Sequence, residues 1–557
     1  MRFVEKIAFG LVLAVALSCA EDGANASDPD GTATGWIHSE TTMARARTLE
    51  GTTRLVLGYN DATEIHDGAG IFDTNYSFLG LSISDDYGVT WQRRGQLPTT
   101  ESVPALRGDP WIAASGSLVL YAGMRGPPGG GNVLPGADGV VLAVSTDAAE
   151  SWDDIVLVHE GSVDGPKVAL TRDRSTAILT WIELEQGGAV RRTRYAIVND
   201  PGSLPLAIDG PHDLDEVMGW RTLAAEGYVP LCDSESSDPE TRYMQSFALG
   251  HPVPAFGPTN NDLYIARVVQ YTNVSVGWCN LIAQDELEVF RSTNGGLTWS
   301  RILSRPLGLQ GNREGRMLAH NGGVTQPGTR PALALTSIGE GDEVLVALEQ
   351  LDPPRSRQRI RLTRIEAADT CSTTGKYHEG CAWTDSFPSA QVIFEYQQET
   401  YHANESLYHY TYQPALFTGD SEEGLDSRVG LSFYVQPRRG DVSGSTPLQR
   451  TFTTVVGLIS FDGGRSWIPG TGLTVDVPGQ PAMHMDMYDG YSGIVFVPCP
   501  KEDTGYFGHY NGGAFQQEGA ALPAVAAWAD SRRGCTQQGW QTTFQHVFTA
   551  RFPNGGP

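Results

Sequence analysis

Residues 84–91 read SDDYGVTW, and three later segments repeat their pattern of Ser, then Asp or Asn two places on, then a closing Trp. They are STDAAESW at 145–152, STNGGLTW at 292–299 and SFDGGRSW at 460–467. Each follows an apolar run typical of a β-strand. Ser and Asp side chains bond nearby backbone amides, Gly permits a positive φ, and Trp covers the edge of a sheet. Four such turns at strand ends therefore predict a repeated antiparallel unit.

A second repeat agrees with the first. A Pro followed by apolar residues recurs along the chain, at Pro110, Pro166, Pro331, Pro414 and Pro481. The spacing from each of the four Trp residues to the next such Pro fits an outer strand followed by a crossing to the inner strand of the next sheet. Pro suits the first residue of a strand. The residues beside each Pro are therefore expected to surround a central channel mouth on one face.

Composition narrows the protein class. The 557 residues include 65 Gly and 33 Pro, with 40% hydrophobic residues, which is too apolar for a disordered chain and too rich in Gly and Pro for a helical bundle. The formal net charge of −26 would repel phosphate backbones. We therefore expect no nucleic-acid partner and no direct binding to anionic membranes.

Together these features predict an all-β fold. The repeated octapeptide resembles the Asp box of β-propellers, and this resemblance implies a six- or seven-bladed β-propeller. Residues 36–553 suit that many four-stranded blades, with insertions near 232–258 and 371–404, and 554–557 form a short tail. We expect a monomer.

The first residues have the pattern of an export signal. Basic residues precede a short apolar run, Ile7–Leu17, which is too short to span a bilayer. The segment ALSC that ends at Cys19 resembles a bacterial lipobox, so residues 1–19 are expected to be a lipoprotein signal with Cys19 lipidated, and 20–35 an acidic tether. The alternative is ordinary cleavage after Ala20. We expect an exported protein of the cell envelope or surface, in contact with a membrane only through its lipid anchor.

The other six cysteines fit an exported chain, in which an even number favours disulfides. Neighbours in sequence suggest the pairs Cys232–Cys279, Cys371–Cys381 and Cys499–Cys535. A zinc site is the weaker interpretation, because no CxxC or HxxxH spacing accompanies them. We expect no metal or other cofactor; the alternative is Ca²⁺ held by acidic residues at the mouth, Asp109, Asp164 and Asp489.

The repeated octapeptide resembles the Asp box of sialidases and related β-propellers. In that family it occupies the turn between the third and fourth strands of a blade, on the rim away from the active site. The resemblance therefore implies structural roles, rather than catalytic ones, for Asp86, Asp147, Asn294 and Asp462.

Sialidases cleave a sugar that carries a carboxylate on its anomeric carbon. They use a Tyr nucleophile activated by Glu, three Arg residues that clamp the carboxylate, and an Asp acid/base. The resemblance assigns the nucleophile to Tyr491, in YSGI after the fourth octapeptide, the first Arg to Arg45 and the third to Arg450. The other parts depart from the family pattern. Their candidates are Arg330, Glu314 as a substitute in a different register, and one of Asp61, Asp67 and Asp73, with Asp67 taken as the acid/base.

A closer resemblance is to secreted Asp-box propellers that are called sialidase-like without established chemistry. It is carried by SETT at 39–42, GYND at 58–61, GDPW at 108–111, GYSG at 490–493 and AWADSR at 527–532. Two hypotheses follow. The first is a propeller that binds a glycan or glycoprotein at its channel mouth, and the alternative is an exo-α-sialidase-type glycoside hydrolase.

Overall fold

A computed structural model describes the part of the chain from which the fold follows. The described residues are 24–26, 38–61, 76–126, 137–185, 190–218, 244–248, 250–275, 280–306, 331–338, 341–352, 357–366, 391–394, 408–418, 427–438, 454–465, 468–469, 474–475, 483–484, 512–515, 524–530 and 546–551. Within these ranges almost every element is a strand, and none of the helical residues forms a segment long and apolar enough to cross a membrane.

The strands are numbered in chain order. Strands β1 to β8 are Ala24–Asn25, His38–Arg47, Thr53–Asp61, Tyr76–Ser77, Leu79–Ser84, Gln92–Gln96, Ala105–Ser115 and Leu118–Arg125. Strands β9 to β14 are Gly139–Ser145, Asp154–Glu160, Val163–Leu170, Thr176–Glu185, Val190–Asn199 and Ala207–Asp213, and they are followed by the helix α1, Leu214–Val217. Strands β15 to β23 are Met244–Ala248, Val253–Phe256, Leu263–Ser275, Asn280–Ser292, Ser300–Pro306, Ala332–Ile338, Gly341–Asp352, Arg357–Glu366 and Gln391–Phe394. Strands β24 to β32 are Tyr408–Thr418, Val429–Arg438, Thr454–Ser460, Ile468–Pro469, Thr474–Val475, Met483–His484, Gly512–Phe515, Ala524–Asp530 and His546–Arg551.

These strands form the blades of a β-propeller. Six blades each come from one continuous stretch of chain: β2-β3-β5-β6, β7-β8-β9-β10, β11-β12-β13-β14, β16-β17-β18-β19, β20-β21-β22-β23 and β24-β25-β26-β27. Strand β15 also pairs with β17, β4 runs parallel beside β7, and β28 pairs with β29. A further four-stranded sheet, β30-β31-β32-β1, unites strands from both ends of the chain. We number the six blades 1 to 6 and call this last sheet the closing sheet.

The inner strands of successive sheets contact one another around a ring. The contacts run from β2 to β7, β11, β16, β20, β24 and β30, and then back to β2. At the closure, the Thr41 hydroxyl donates to the Ala527 carbonyl oxygen at 2.9 Å, and the Gly512 amide donates to Thr41 Oγ1 at 3.0 Å. The ring is therefore closed, and the described residues place six continuous blades and the closing sheet in it.

The core consists of apolar layers between neighbouring blades. Blades 1 and 2 share one such cluster, blades 2 and 3 a second, and blades 3 and 4 a third around Tyr195, Phe290 and Trp299. Similar layers join blade 4 to blade 5, blade 5 to blade 6, and the closing sheet to blade 1. Val, Ile, Leu and Ala dominate these layers because both faces of each sheet are covered by a neighbour.

The described residues of the four octapeptides form the same turn, and we call these segments the box turns. In the first, Ser84 Oγ donates to Asp86 Oδ1 at 2.9 Å, and the Gly88 and Thr90 amides donate to Ser84 Oγ and Asp86 Oδ1 at 2.7 and 2.8 Å. The other three repeat the Ser contacts. In the second turn Ala148 and Ala149 have φ of 60° and 63°, a left-handed conformation that ordinarily favours Gly. These side-chain hydrogen bonds hold the backbone in that strained form.

The proline repeat marks the inner strands, but not their first residues. Pro110, Pro166 and Pro414 lie inside β7, β11 and β24, at points where the pairing register shifts. A bulge leaves a residue without its ladder hydrogen bond, so a residue that lacks an N–H is tolerated there. In these three blades the inner strands therefore begin before the prolines, and the prolines mark bulges, whereas Pro331 directly precedes the first residue of β20.

Candidate functional site at the channel mouth

Bulges occur at the same level in the inner strands of blades 1, 2 and 3. The register shifts between Ser39 and Thr42 in β2, between Gly108 and Trp111 in β7, and between Asp164 and Lys167 in β11. At these bulges Glu40, Asp109 and Gly165 have φ of 52°, 56° and 57°. All three lie near the strand starts, at the end of the blade opposite the box turns. We call this end of the ring the channel mouth.

Two buried carboxyl groups meet at the mouth. The side chains of Glu40 and Asp109 are hydrogen-bonded to each other, although the residues are only 1% and 7% exposed. Asn60 holds both in place: its Nδ2 donates to Glu40 Oε2 at 2.7 Å, and its Oδ1 accepts from the Asp109 amide at 3.1 Å. Burial, together with the negative charges of Glu40 and Asp164, raises the pKa of Asp109 well above its usual range, and His251 opposes that shift.

An imidazole from blade 4 faces these carboxylates. His251 is 1% exposed, and its Nε2 lies 3.5 Å from Asp164 Oδ1. It packs against the bulge at Gly165, where an added Cβ would lie 2.1 Å from His251 Cγ. The Gly165 amide in turn donates to Asp109 Oδ2 at 3.0 Å. One donor atom each from Asp109, Asp164 and His251 lie within 4.8 Å of one another, so these are the described residues that fit a metal ion.

An aromatic ring and a cation occupy the adjoining part of the channel. Lys167 is buried, and its Nζ lies 4.0 Å from the centre of the Trp111 ring, within the range of a cation–π interaction. Trp111 is partly exposed and packs against the apolar clusters of blades 2–3 and of blades 4–5. Its ring therefore reaches from β7 toward blades 4 and 5.

Arg45 and Asp61 are the predicted catalytic candidates that the structure describes. Arg45 pairs with Leu55, which pairs with Ser84, the first residue of a box turn. Arg45 is thus near the box-turn end of β2, five residues or about 15 Å along the strand from Glu40. Asp61 is fully buried and forms an ion pair with Arg93 at 2.8 Å, so its carboxylate is held inside blade 1.

The remaining site predictions lie outside the described residues and stay predictions. They are Glu314, Arg330, Arg450 and Tyr491, the alternatives Asp67 and Asp73, the candidate calcium ligand Asp489, Cys19, and the six cysteines of the suggested disulfides. Among the described residues, the mouth brings together Glu40, Asp109, Asp164 and His251 instead. Sequence reasoning had Asp109 and Asp164 as mouth acids and Glu40 within the SETT segment, but it missed His251. The signal for His251 was its place just before a Pro and an apolar strand, as in the other inner strands.

Comparisons with known proteins find no close relative. No family model matches the chain, and no curated protein matches it. Solved structures do. A Trypanosoma rangeli sialidase in complex with 2,3-difluorosialic acid is 9% identical with a TM-score of 0.33, over 83% of this chain and 55% of that one. An exo-1,5-alpha-L-arabinanase from a bovine ruminal metagenomic library is 13% identical with a TM-score of 0.27, over 60% and 97% of the two chains. The chain is similar to sialidase-like propellers. It spans about half the length of the trypanosomal sialidase, and the propeller itself is established by the strand topology given above.

Proposed function

We propose that this protein binds a glycan, free or carried by a glycoprotein, at the channel mouth. The observation that carries the proposal is the convergence of Glu40, Asp109 and Asp164, from three different blades, beside the partly exposed ring of Trp111. A sugar presents apolar C–H faces and a rim of hydroxyl groups. An aromatic surface with a few fixed polar groups is suited to both, and it orients a ligand in a concave site.

The fixed geometry of the polar groups supports binding. Asn60 donates to the Glu40 carboxylate and accepts from the Asp109 backbone amide, and the Gly165 amide donates to Asp109 Oδ2. Groups held in this way lose little conformational entropy when a ligand arrives, so their hydrogen bonds contribute more to affinity. Since carboxylates outnumber cations among the described mouth residues, neutral sugars are favoured over acidic ones unless a bound cation changes the balance.

A glycan array that includes neutral and sialylated oligosaccharides tests this proposal. Trp111→Ala is expected to reduce binding to any recognised glycan at least tenfold, because it removes the stacking surface at the centre of the site. Tyr87→Ala is the matched control: this aromatic is exposed and belongs to a box turn at the opposite end of the blade. Equal binding by both variants and the wild type would place the site elsewhere, and no binding to any glycan would remove the proposal.

The second candidate is an exo-α-sialidase-type hydrolase with Tyr491 as nucleophile and Arg330 and Arg450 as the carboxylate clamp. Arg45, which the sequence predicted as the first Arg of that clamp, lies near the box-turn end of β2 and is not brought to the channel mouth. What favours it is the ring closure, because β2 contacts β30 and β31 and so brings the two ends of the chain together. Tyr491→Phe is expected to abolish release of sialic acid from a sialoside and to retain binding, since only the nucleophilic oxygen is lost. A wild type that releases no sialic acid would exclude this candidate and leave the binding function.

Export and anchoring belong to the same proposal and rest on the N-terminal sequence, with its apolar run followed by Cys19. In the host cell, Cys19→Ser is expected to move the protein from the membrane fraction to the soluble fraction. A variant that still fractionates with membranes would show that Cys19 is not the anchor.

A further inference from the structure

We propose that Asp109, Asp164 and His251 bind a divalent transition-metal ion, with Zn²⁺ as the first candidate. The three residues come from the inner strands of blades 2 and 3 and from the residue two places before β16 in blade 4. Their donor atoms lie within 4.8 Å of one another. This proposal goes beyond glycan binding and does not depend on it.

The spacing of His251 and Asp164 is compatible with coordination of one ion. His251 Nε2 and Asp164 Oδ1 are 3.5 Å apart, beyond the usual 2.7–3.2 Å of an N–H···O bond. Two ligands at about 2.0–2.2 Å from a tetrahedral zinc ion are themselves separated by about 3.3–3.6 Å. The separation of this pair is therefore compatible with two neighbouring ligands around one ion.

The fold makes room for the imidazole at this place. Gly165 has a positive φ and no side chain, and the His251 ring occupies the space that a Cβ at that position would fill. The ring therefore packs against the bulge at Gly165. Asp164 is the residue directly before Gly165, and the Gly165 amide donates to Asp109 Oδ2. A carboxylate has two oxygens and about four lone-pair sites, so Asp109 is able to accept that amide and to ligate a cation as well.

Charge and donor type select the class of ion. Glu40, Asp109 and Asp164 bring three carboxyl groups together, and Lys167 brings a cation over the neighbouring Trp111 ring. A divalent ion would reduce the remaining repulsion. An imidazole donor suits zinc, iron, copper or nickel, whereas Ca²⁺ and Mg²⁺ prefer all-oxygen ligands. Three protein ligands would leave a position open to water or to a ligand hydroxyl group, and Glu40 would act on Asp109 from the outer shell.

To test the proposal, the full chain is treated with EDTA, checked to be folded, and then titrated with Zn²⁺ alone. Calorimetry and metal analysis are expected to show one Zn²⁺ ion bound per wild-type chain. His251→Ala and Asp164→Asn are expected to weaken that binding at least tenfold. His212→Ala is the matched control, because His212 Nε2 also faces an Asp oxygen, that of Asp209 at 3.2 Å, but on the more exposed edge of blade 3.

Thermal unfolding distinguishes a variant that has lost Zn²⁺ binding from one that folds poorly. Zn²⁺ is expected to raise the unfolding midpoint of the wild type and of His212→Ala, but not that of Asp164→Asn, whose side chain is one-third exposed and so tolerates substitution. Loss of the visible Co²⁺ absorption band in His251→Ala would add a direct sign of nitrogen ligation. Absence of stoichiometric Zn²⁺ binding, unchanged binding in both variants, or tighter binding of Ca²⁺ than of Zn²⁺ would overturn the proposal. Because no glycan is present, none of these results bears on glycan binding.

Discussion

The two ends of the blades are built in different ways. At the box-turn end, each turn is held by contacts within eight residues, such as those of Ser145 and Asp147 with the amides of Ala149 and Ser151. At the channel mouth, the contacts join residues of different blades, such as Asp109 with Gly165 and His251 with Asp164. Local hydrogen bonds define a turn that repeats, whereas long-range convergence creates one site that does not. The repeated box turns are therefore structural, and the channel mouth, whose contacts do not repeat, is where we expect the functional site.

The third box turn shows that this kind of turn does not require a charged side chain. Asn294 replaces the Asp, and its Oδ1 still accepts from the Thr298 amide at 2.9 Å while its Nδ2 donates to Thr298 Oγ1 at 2.8 Å. The turn therefore needs a side-chain acceptor and not a negative charge. At the mouth, by contrast, Glu40, Asp109 and Asp164 bring three carboxyl groups from different blades together.

The largest expected effect is on stability, at the box-turn end. Trp91 is buried, and its Nε1 donates to Thr549 Oγ1 at 2.9 Å, which joins blade 1 to the closing sheet. Trp91→Ala is expected to lower the free energy of unfolding by about 3–5 kcal/mol, because it leaves a cavity and a lost hydrogen bond. Urea unfolding measures this loss. A fully stable variant with a specific loss of glycan binding would instead assign function to this end.

A smaller effect that depends on pH is expected near the mouth end of blade 3. A hydrogen bond from His159 and the charge of Arg194 lower the pKa of Glu183 to about 2. A lowered pKa stabilises the fold above the unfolded value near 4.5, and that contribution is lost as the pH falls toward 2. Glu183→Gln is expected to cost about 2 kcal/mol at pH 7 and much less at pH 2, where about half of the stabilising charge is already lost. Equal losses at both pH values, measured by urea unfolding, would contradict this account.

The smallest effect is expected for Asp86→Asn. Burial alone would raise the pKa of Asp86, but hydrogen bonds from Thr90 and Ser84 outweigh it and lower the pKa. Since Asn294 fills the equivalent place in the third box turn, the amide should support the same turn at a cost of about 1 kcal/mol or less. Asp86→Leu, which keeps the bulk and removes the acceptor, is the control and should cost more. Equal losses for both would show that the charge itself holds the turn.

The sequence predicted the fold because the box turns are short-range features that each appear whole in one octapeptide. It left the blade number open, since the closing sheet unites β1 with β30–β32 and no local pattern joins strands so far apart. The proline repeat located the inner strands, but the bulges depend on pairing with the next strand. Glu40 and Asp109 adopt a positive φ, which their residue types do not predict. His251 reaches the site only through packing against Gly165, which sequence spacing does not reveal.

The most direct test compares one isosteric change at each end. Asp109→Asn and Asp147→Asn both replace a carboxylate by an amide, and both variants can be measured on the same glycan array and by thermal unfolding. We expect Asp109→Asn to lose at least tenfold in glycan binding with an unfolding midpoint equal to or above that of the wild type, because it also relieves repulsion with Glu40. Asp147→Asn should bind as the wild type does. Wild-type binding by Asp109→Asn, or a loss of binding by a stable Asp147→Asn, would contradict the division between a structural box-turn end and a functional mouth.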